Sequence, residues 1–270
     1  MNYVCLHNKK DIERFLKKDV FLHLYSIGDL DDFFWPYTIW YGFKSNDLIH
    51  AIVLLYIGMS IPTLIAISTE TNHMIGLLNA IRYLLPVRFY AHLSPGLAHA
   101  LAKTYDLTSY GEHYKMALTD KRPASLIDCS DVKQLSKNDL SSVRDLYKIS
   151  YPGNWFDPRM LETKKYFGLE EKKRLVSVAG IHVYSPQYKV AALGNIATVP
   201  EYRNQGYGKR VTAKLCQSLI NEGVQVGLNV KADNISAISC YEKLGFKTIV
   251  SYEEFHLQRK DRTTNEPIRG

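Results

Sequence analysis

Short apolar runs of strand length alternate with amphipathic runs of helix length in the second half of the chain. One apolar run ends at Pro200, because proline cannot donate to a sheet ladder. Beyond it, Val211, Leu215 and Leu219 recur at the spacing of one helix face, and Gly223 follows as a helix C-cap. The predicted strands are 132–135, 174–184, 190–199, 224–230 and 248–257, and the predicted helices are 136–147, 159–165, one that opens at the turn 203–208, and 234–244.

The first half of the chain repeats this order of elements. Where the second half has the turn 203–208, the first half has residues 69–73, which lack glycine and carry the Glu70 carboxylate. When the two halves are aligned, Ala102 falls at the position of Tyr241. This order predicts a degenerate second copy of one fold, although any α/β unit would show the same order. The predicted strands here are 37–43, 49–57, 61–68, 87–92 and 110–118, and the predicted helices are 73–85 and 95–103.

A polar break at residues 120–123 divides the two halves. With 270 residues the chain is long enough for two domains. The predicted domains are therefore 1–122 and 123–270.

The turn Arg203-Asn204-Gln205-Gly206-Tyr207-Gly208 joins a predicted strand to a predicted helix. Backbone N–H groups at a helix N-terminus have no intrahelical partners and lie at the positive end of the helix dipole, so this turn can hold a phosphate. It is a poor P-loop, because Arg203 stands where that loop needs glycine and Arg210 where it needs Ser or Thr. It is also a poor dinucleotide fingerprint, because Val211 replaces the third glycine.

A second motif lies at residues 234–246, where Asn234 is a typical N-cap, Tyr241 lies on the predicted helix and Gly245 ends it. The two motifs together resemble those of the GNAT acyltransferases. The family pattern is Arg/Gln-x-x-Gly-x-Gly/Ala followed by Asn-x-x-Ala-x-x-x-Tyr-x-x-x-Gly-Phe, and the chain matches it at every position. Each motif alone is weak, whereas both in order on the expected elements are a specific signal.

The resemblance implies an α/β (α+β) GNAT fold with a mixed, mostly antiparallel central sheet and flanking helices, present as two tandem GNAT-like domains. It implies transfer of an acyl group from acetyl-CoA or another acyl-CoA to an amine, without a metal. Residues 195–203 are also similar to glycine N-acyltransferase-like enzymes, which leaves a longer acyl donor open. Because residues 69–73 lack glycine and carry a carboxylate, the first half is not expected to hold coenzyme A in the way of the second.

The resemblance also assigns candidate residues. Backbone amides of the turn are expected to bind the pyrophosphate, while the end of the preceding strand offers free backbone groups to the pantetheine arm and to the oxyanion. Both of those segments also occur as ordinary turns and edge strands. The expected coenzyme-binding residues are Ala197, Thr198, Val199, Asn204, Gln205, Gly206, Tyr207, Gly208, Lys209 and Asn234.

Two of the candidate side chains have structural alternatives. Asn234 caps a helix in any case, and the resemblance adds a hydrogen bond to the coenzyme arm. A tyrosine on a helix face usually packs in the core, whereas the resemblance assigns Tyr241 to protonation of the leaving thiolate as the general acid. We favour the catalytic role for Tyr241.

The general base is not identified by the sequence. Residues 195–198 contain no carboxylate, and a water relay would also serve. The remaining candidates also have structural explanations: a surface or core role is favoured for the four candidate bases and explains the other residues about as well. They are His182, Glu253, Glu254 and His256 for the base, Trp155 and Phe156 for the wall of the acceptor site, and Lys209, Arg210 and Lys231 for the coenzyme phosphates.

Composition narrows the function further. The net charge of +7 suits a polyanionic ligand, but Lys and Arg are scattered, so no nucleic-acid partner is expected. The four cysteines form no metal motif, and a nucleophilic role for Cys240 is disfavoured because no His or acid stands at a helpful spacing. The apolar stretch 49–67 is broken by Gly58 and Pro62, so no membrane span is expected and a cytoplasmic location is predicted.

Two functions follow from the sequence. The favoured one is an acyl-CoA-dependent N-acyltransferase, most simply an N-acetyltransferase, acting on a small-molecule amine such as an amino acid or polyamine. The alternative is a regulatory protein that binds CoA or acyl-CoA and has a vestigial acceptor site. Antibiotic and protein lysine acceptors remain open, and so does a homodimer.

Overall fold

The computed structural model describes residues 2–154 and 156–260, so Trp155 lies outside the described residues. The helices are α1 Lys9–Leu16, α2 Leu24–Gly28, α3 Thr71–Ile81, α4 His99–Ala102, α5 Arg122–Ser125, α6 Leu140–Ser150, α7 Tyr207–Asn221 and α8 Ile235–Lys243. The strands are β1 Asn2–Cys5, β2 Thr38–Ser45, β3 Leu48–Tyr56, β4 Thr63–Ala66, β5 Arg88–Leu93, β6 Tyr105–Leu118, β7 Lys133–Gln134, β8 Phe167–Glu171, β9 Arg174–Ser185, β10 Val190–Thr198, β11 Gln225–Lys231 and β12 Phe246–Arg259. Short 3-10 helices occupy Lys17–Asp19, Trp35–Tyr37, Lys137–Asp139, Pro158–Thr163 and Pro200–Tyr202.

The chain folds into two compact units, and neither is one continuous stretch of sequence. The first unit contains residues 1–15, 37–111 and 252–270, and the second contains 16–36 and 112–251. Strands β6 and β12 are therefore both divided, with one part in the first unit and the other part in the second. The predicted division between residues 122 and 123 falls inside the second unit's longer segment, and it remains a proposal about domain boundaries.

The second unit is built on a mixed sheet in the order β6-β11-β10-β9-β8-β7. Only the β10–β11 pair in this sheet is parallel, among the pairings that the structure describes. Helix α7 packs on this sheet through Val211, Leu215 and Leu219, all fully buried, which confirms the face predicted from their spacing. Strand β9 is buried on both faces over most of its length, as expected for a central strand.

The first unit has a similar sheet, in the order β1-β2-β3-β4-β5-β12. Strands β4 and β5 are parallel, and the other described neighbours are antiparallel. Helix α3 packs on β2 and β3 through Met74, Leu77, Leu78 and Ile81. The mostly antiparallel mixed sheets with flanking helices confirm the predicted fold class.

Several predicted elements differ from those observed. Residues 159–165 were expected to form an α-helix, but Pro158–Thr163 is a 3-10 helix that ends at Lys164 in a left-handed conformation. The helix predicted at 95–103 is shortened to α4, because Gly96 takes a positive φ of 81°. Strands β1 and β8 and helices α1 and α2 were not predicted.

His23 and Asp29 flank helix α2, which packs on β9 and β10 in the second unit. Burial raises the pKa of Asp29 from 3.8 to about 7. Burial, aided by the charge of Lys115, lowers the pKa of His23 from 6.5 to about 4. Both groups are thus kept neutral near pH 6, because the charged forms would be desolvated.

Asp29→Asn is expected to stabilise the protein at alkaline pH. Folded Asp29 keeps a proton that the unfolded chain loses above pH 3.8, so its contribution to the free energy of unfolding falls as pH rises to about 7. The substitution removes a penalty of at most about 4 kcal/mol at pH 8 and leaves stability at pH 4 nearly unchanged. Urea unfolding at both pH values measures this difference. An equal effect of the substitution at the two pH values would contradict it.

Candidate active site

The parallel strands β10 and β11 pair over only part of their length. Their register runs from Val190–Gln225 to Leu193–Leu228, whereas β10 stays paired with β9 as far as Thr198. An irregularity in the β9 register falls between Gly194 and Ala197. Beyond Leu193, β10 therefore has a paired neighbour on one side only, as the resemblance implied for a pantetheine-binding strand.

The backbone at the end of β10 is only partly available to a ligand. The amide of Val199 donates to Val176 O at 2.9 Å, so Val199 cannot offer a free N–H as the sequence predicted. Since successive amides in a strand point to opposite sides, the N–H of Thr198 points away from β9. The Thr198 carbonyl accepts from Arg203 Nε at 3.1 Å, and Ala197 O accepts from the Ser177 hydroxyl at 3.4 Å. The Thr198 amide is thus the best placed donor of the three predicted residues.

The turn after β10 has the backbone that a helix N-terminal anion site requires. Asn204 and Gly206 have positive φ values of 61° and 86°, and Gly206 is the N-cap of α7. A Cβ built on Gly206 would meet no protein atom within 4 Å, so this backbone faces open space. The amide of Arg210 makes the first helical bond, to Gly206 O at 3.1 Å. The amides of Tyr207, Gly208 and Lys209 come before that bond and have no helical acceptor.

The turn and the end of β10 lie against each other. A Cβ added to Gly208 would come within 3.2 Å of the Thr198 hydroxyl oxygen. That hydroxyl in turn is 2.8 Å from Ser177 Oγ. Together with the Arg203–Thr198 bond, these contacts place the predicted phosphate site directly beside the predicted pantetheine strand. Ser177 was missed in the sequence, since a serine in the middle of a buried strand gives no local signal.

The basic residues named for the coenzyme phosphates differ in their surroundings. Arg210 forms an ion pair with Asp131, and Lys231 pairs with Asp233 at 2.8 Å. Lys209 lies close enough to α8 for its charge to act on the Cys240 thiol. Burial nevertheless raises the pKa of Cys240, which keeps this thiol protonated and disfavours a nucleophilic role. Of these three basic residues, Lys209 is the best candidate for a phosphate contact.

Helix α8 carries the second motif as predicted. The Asn234 side chain accepts from the amide of Ala237 at 3.2 Å, which confirms the N-cap. Gly245 ends the helix with a φ of 96°. Its carbonyl accepts from the amides of Thr119 and Asp120, both at 3.2 Å, so the helix end is fixed to the chain that follows β6.

Tyr241 is nearly buried, with 9% of its surface exposed, and its ring lies 5.9 Å from that of Phe246. Its hydroxyl forms no hydrogen bond with residues 2–154 or 156–260. Burial raises the pKa of this phenol well above its ordinary value, and the nearby thiol of Cys240 adds to the shift. Tyr241 therefore keeps its proton at neutral pH, as a general acid must.

The candidate bases are distributed between the two units. His182 lies on β9 in the second unit, where its ring covers Gly194 so closely that a Cβ at that position would overlap it. Glu253, Glu254 and His256 lie on the part of β12 that belongs to the first unit. Glu254 accepts from the Tyr252 hydroxyl at 2.7 Å and lies 3.3 Å from His92 Nε2. Of these four candidate bases, His182 alone belongs to the same unit as the turn at residues 203–208.

A comparison with known proteins identifies one domain of the chain. Residues 135–246 match the model of the Acetyltransferase (GNAT) family. The chain carries a GNAT acetyltransferase domain. That domain lies within the second unit and contains β10, the glycine-rich turn, α7 and α8.

Relatives with curated names match the chain over limited lengths. The uncharacterized N-acetyltransferase YobR of Bacillus subtilis is 25% identical over 170 residues, which are 53% of this chain and 67% of YobR. The [Ribosomal protein bS18]-alanine N-acetyltransferase of Escherichia coli is 44% identical over 57 residues, which are 21% of this chain and 38% of that enzyme.

A solved structure resembles the whole chain in fold. It is a tandem GNAT protein from the clavulanic acid biosynthesis pathway, with 13% sequence identity and a TM-score of 0.57. The alignment covers 97% of this chain and 99% of that one. At this identity the likeness concerns the fold alone.

The strand ends and the helix start that the structure describes in the first unit differ from those of the GNAT site described above. Its parallel pair β4–β5 stays in register to Ala66–Leu93. Beyond that point Ser94 N donates to Ala66 O at 3.1 Å, and Ser68 N donates to Ser94 Oγ at 2.9 Å. These bonds hold together the strand ends that separate in the second unit. Helix α3 begins after Glu70, whose carboxylate would repel an anion.

None of the described helices combines the length and the apolar character needed to cross a bilayer. Within residues 2–154 and 156–260, His, Cys, Asp and Glu side chains form no group of three or more that could hold a metal ion.

Proposed function

We propose that the GNAT domain transfers an acetyl group from acetyl-CoA to the amine of a small molecule. The observation that carries this proposal is the separation of β10 from β11 directly beside the amide-lined turn at residues 204–209. A long thioester carrier with a diphosphate needs both features at once: an open strand edge for its arm and main-chain donors for its phosphates.

The described residues fit such a carrier. The turn offers the amides of Asn204, Gln205, Gly206, Tyr207, Gly208 and Lys209, of which the last three lie in the first turn of a 15-residue helix. Lys209 supplies a positive charge at the same place. The amide of Thr198 points into the gap between the strands, where it would donate to the arm or to the thioester oxygen. Asn234, with its carbonyl oxygen engaged as N-cap, has its amide N–H groups left for the carrier.

The chemical step needs one acid and one proton acceptor. The neutral amine attacks the thioester carbonyl carbon, the carbon–sulfur bond breaks, and the departing thiolate takes a proton from Tyr241. The amine nitrogen loses one proton. Of the four candidate bases, His182 is the one that lies in the same unit as Tyr241, and a water chain to solvent is the alternative.

Release of free thiol from acetyl-CoA tests this function directly. The full chain is assayed with a panel of amino acids, polyamines and a lysine peptide. Thiol release that depends on one class of amine supports the proposal and names the acceptor. Tight CoA binding without release for any amine would contradict the transferase function and would favour the alternative, a CoA-binding regulatory protein.

A further inference from the structure

Asn195 lies inside β10 in a conformation that is unfavourable for most residues. Its φ is 53°, in the left-handed region, and it falls where the register with β9 is irregular, between Gly194 and Ala197. The residue is only 2% exposed, and its Oδ1 is buried without a hydrogen-bond partner among the described residues. A left-handed residue and an unpaired buried oxygen each destabilise a fold. Such features persist where the surrounding structure imposes them and often mark functional sites.

Two tyrosines impose this conformation. The Tyr147 hydroxyl, from α6, donates to the backbone carbonyl of Asn195 at 2.7 Å. The Asn195 side-chain amide donates to the Tyr166 hydroxyl at 3.0 Å, and Tyr166 donates to Ile181 O on β9 at 3.2 Å. Both ends of Asn195, main chain and side chain, are therefore fixed from the same region of the core. Phe156 packs against both tyrosine rings, at 5.3 Å and 5.5 Å.

The position of this network along β10 gives it a consequence for the proposed site. Asn195 is the second residue after Leu193, where pairing with β11 ends, and the third before Thr198, whose amide points into the gap. An irregularity in a strand bends it and increases its local twist. The conformation of Asn195 therefore sets the direction in which residues 196–198 leave β11.

We infer that Tyr147, Asn195 and Tyr166 are positioning residues that hold β10 away from β11 and so keep the acyl-CoA cleft open. This inference rests on the proposed function, because it assigns a cause to the cleft in which the carrier would bind. None of the three residues needs to touch the carrier. Sequence patterns do not reveal the network, since its members are separated by 48 and 29 residues along the chain.

Calorimetric titration of the full chain with CoA tests the inference through two substitutions. Tyr147→Phe removes the hydroxyl that fixes the Asn195 carbonyl, and Asn195→Ala removes the side chain while disfavouring a positive φ. Each is expected to raise the Kd for CoA by about tenfold. Asn195→Gly accepts a positive φ without strain, so it is expected to bind CoA more tightly than Asn195→Ala. In acetyl transfer, the KM for acetyl-CoA rises while the KM for the amine stays unchanged.

Tyr105→Phe is the matched control. Tyr105 is a fully buried tyrosine of the first unit whose hydroxyl is bound to backbone carbonyls, 3.0 Å from Arg82 O among them. Its loss is expected to lower thermal stability without changing the Kd. If Tyr147→Phe and Asn195→Ala bind CoA as tightly as the parent, or if Asn195→Gly binds no better than Asn195→Ala, the positioning role is wrong. Failure of the proposed function would differ, because the parent itself would then bind no CoA or would release no thiol from acetyl-CoA with any amine.

Discussion

Tyr241→Phe is expected to lower kcat for acetyl transfer by about 100-fold or more, with little change in the Kd for CoA. The substitution removes only the hydroxyl, which forms no hydrogen bond with the described residues, so the core around the ring should stay intact. Without it, the thiolate must leave unprotonated or wait for a proton from water. Steady-state kinetics with acetyl-CoA and the amine found in the panel assay measure the effect, and Tyr105→Phe again serves as the control.

The same residue predicts a pH dependence. Burial raises the pKa of Tyr241, so the fraction that carries the proton does not fall as pH rises through 9. The parent enzyme should therefore gain or hold activity between pH 7 and about 9, as the amine acceptor loses its own proton. A kcat for Tyr241→Phe within a factor of about two of the parent would contradict the role of general acid.

Gly206→Ala is expected to weaken CoA binding by about 100-fold or more. The added methyl group would stand in open space, at the surface where the turn amides face the proposed phosphates. It would also disfavour the φ of 86° that directs those amides outward. Because no protein atom lies within 4 Å of the added Cβ, the fold should lose only the stability that a left-handed alanine implies.

Gly223→Ala provides a control at the other end of the same helix. Gly223 has a φ of 70° and also has open space around an added Cβ. The two variants should therefore lose similar amounts of stability, about 1–2 kcal/mol each by urea unfolding, while only Gly206→Ala loses CoA affinity. Equal affinities in the two variants would show that the turn does not bind the coenzyme.

Much of the proposed site could be predicted from the sequence because its signals are local. The turn at 203–208 and the helix face of Val211, Leu215 and Leu219 depend on neighbours in the chain, and the structure reproduces them. The N-cap Asn234 and the C-terminal Gly245 are local signals of the same kind. The fold class followed from the same two motifs.

The features that the sequence did not predict depend on contacts between distant residues. Helix α2 has five residues, too few for a periodic pattern, and its packing on β9 and β10 was not predicted. Nothing local shows that Val199 uses its amide for Val176, or that Asn195 takes a left-handed conformation under two distant tyrosines. Each unit also combines segments that are far apart in the sequence, and this depends on pairing between distant strands.

Titration of the full chain with acetyl-CoA in a calorimeter tests the central claim most directly. Within residues 2–154 and 156–260 the turn at 204–209 and the open edge of β10 occur once, whereas the corresponding strands of the first unit are closed by Ser68 and Ser94. The predicted result is a single saturable site per chain, whose affinity Gly206→Ala lowers by about 100-fold or more. Absence of binding, or two equivalent sites per chain, would contradict the account.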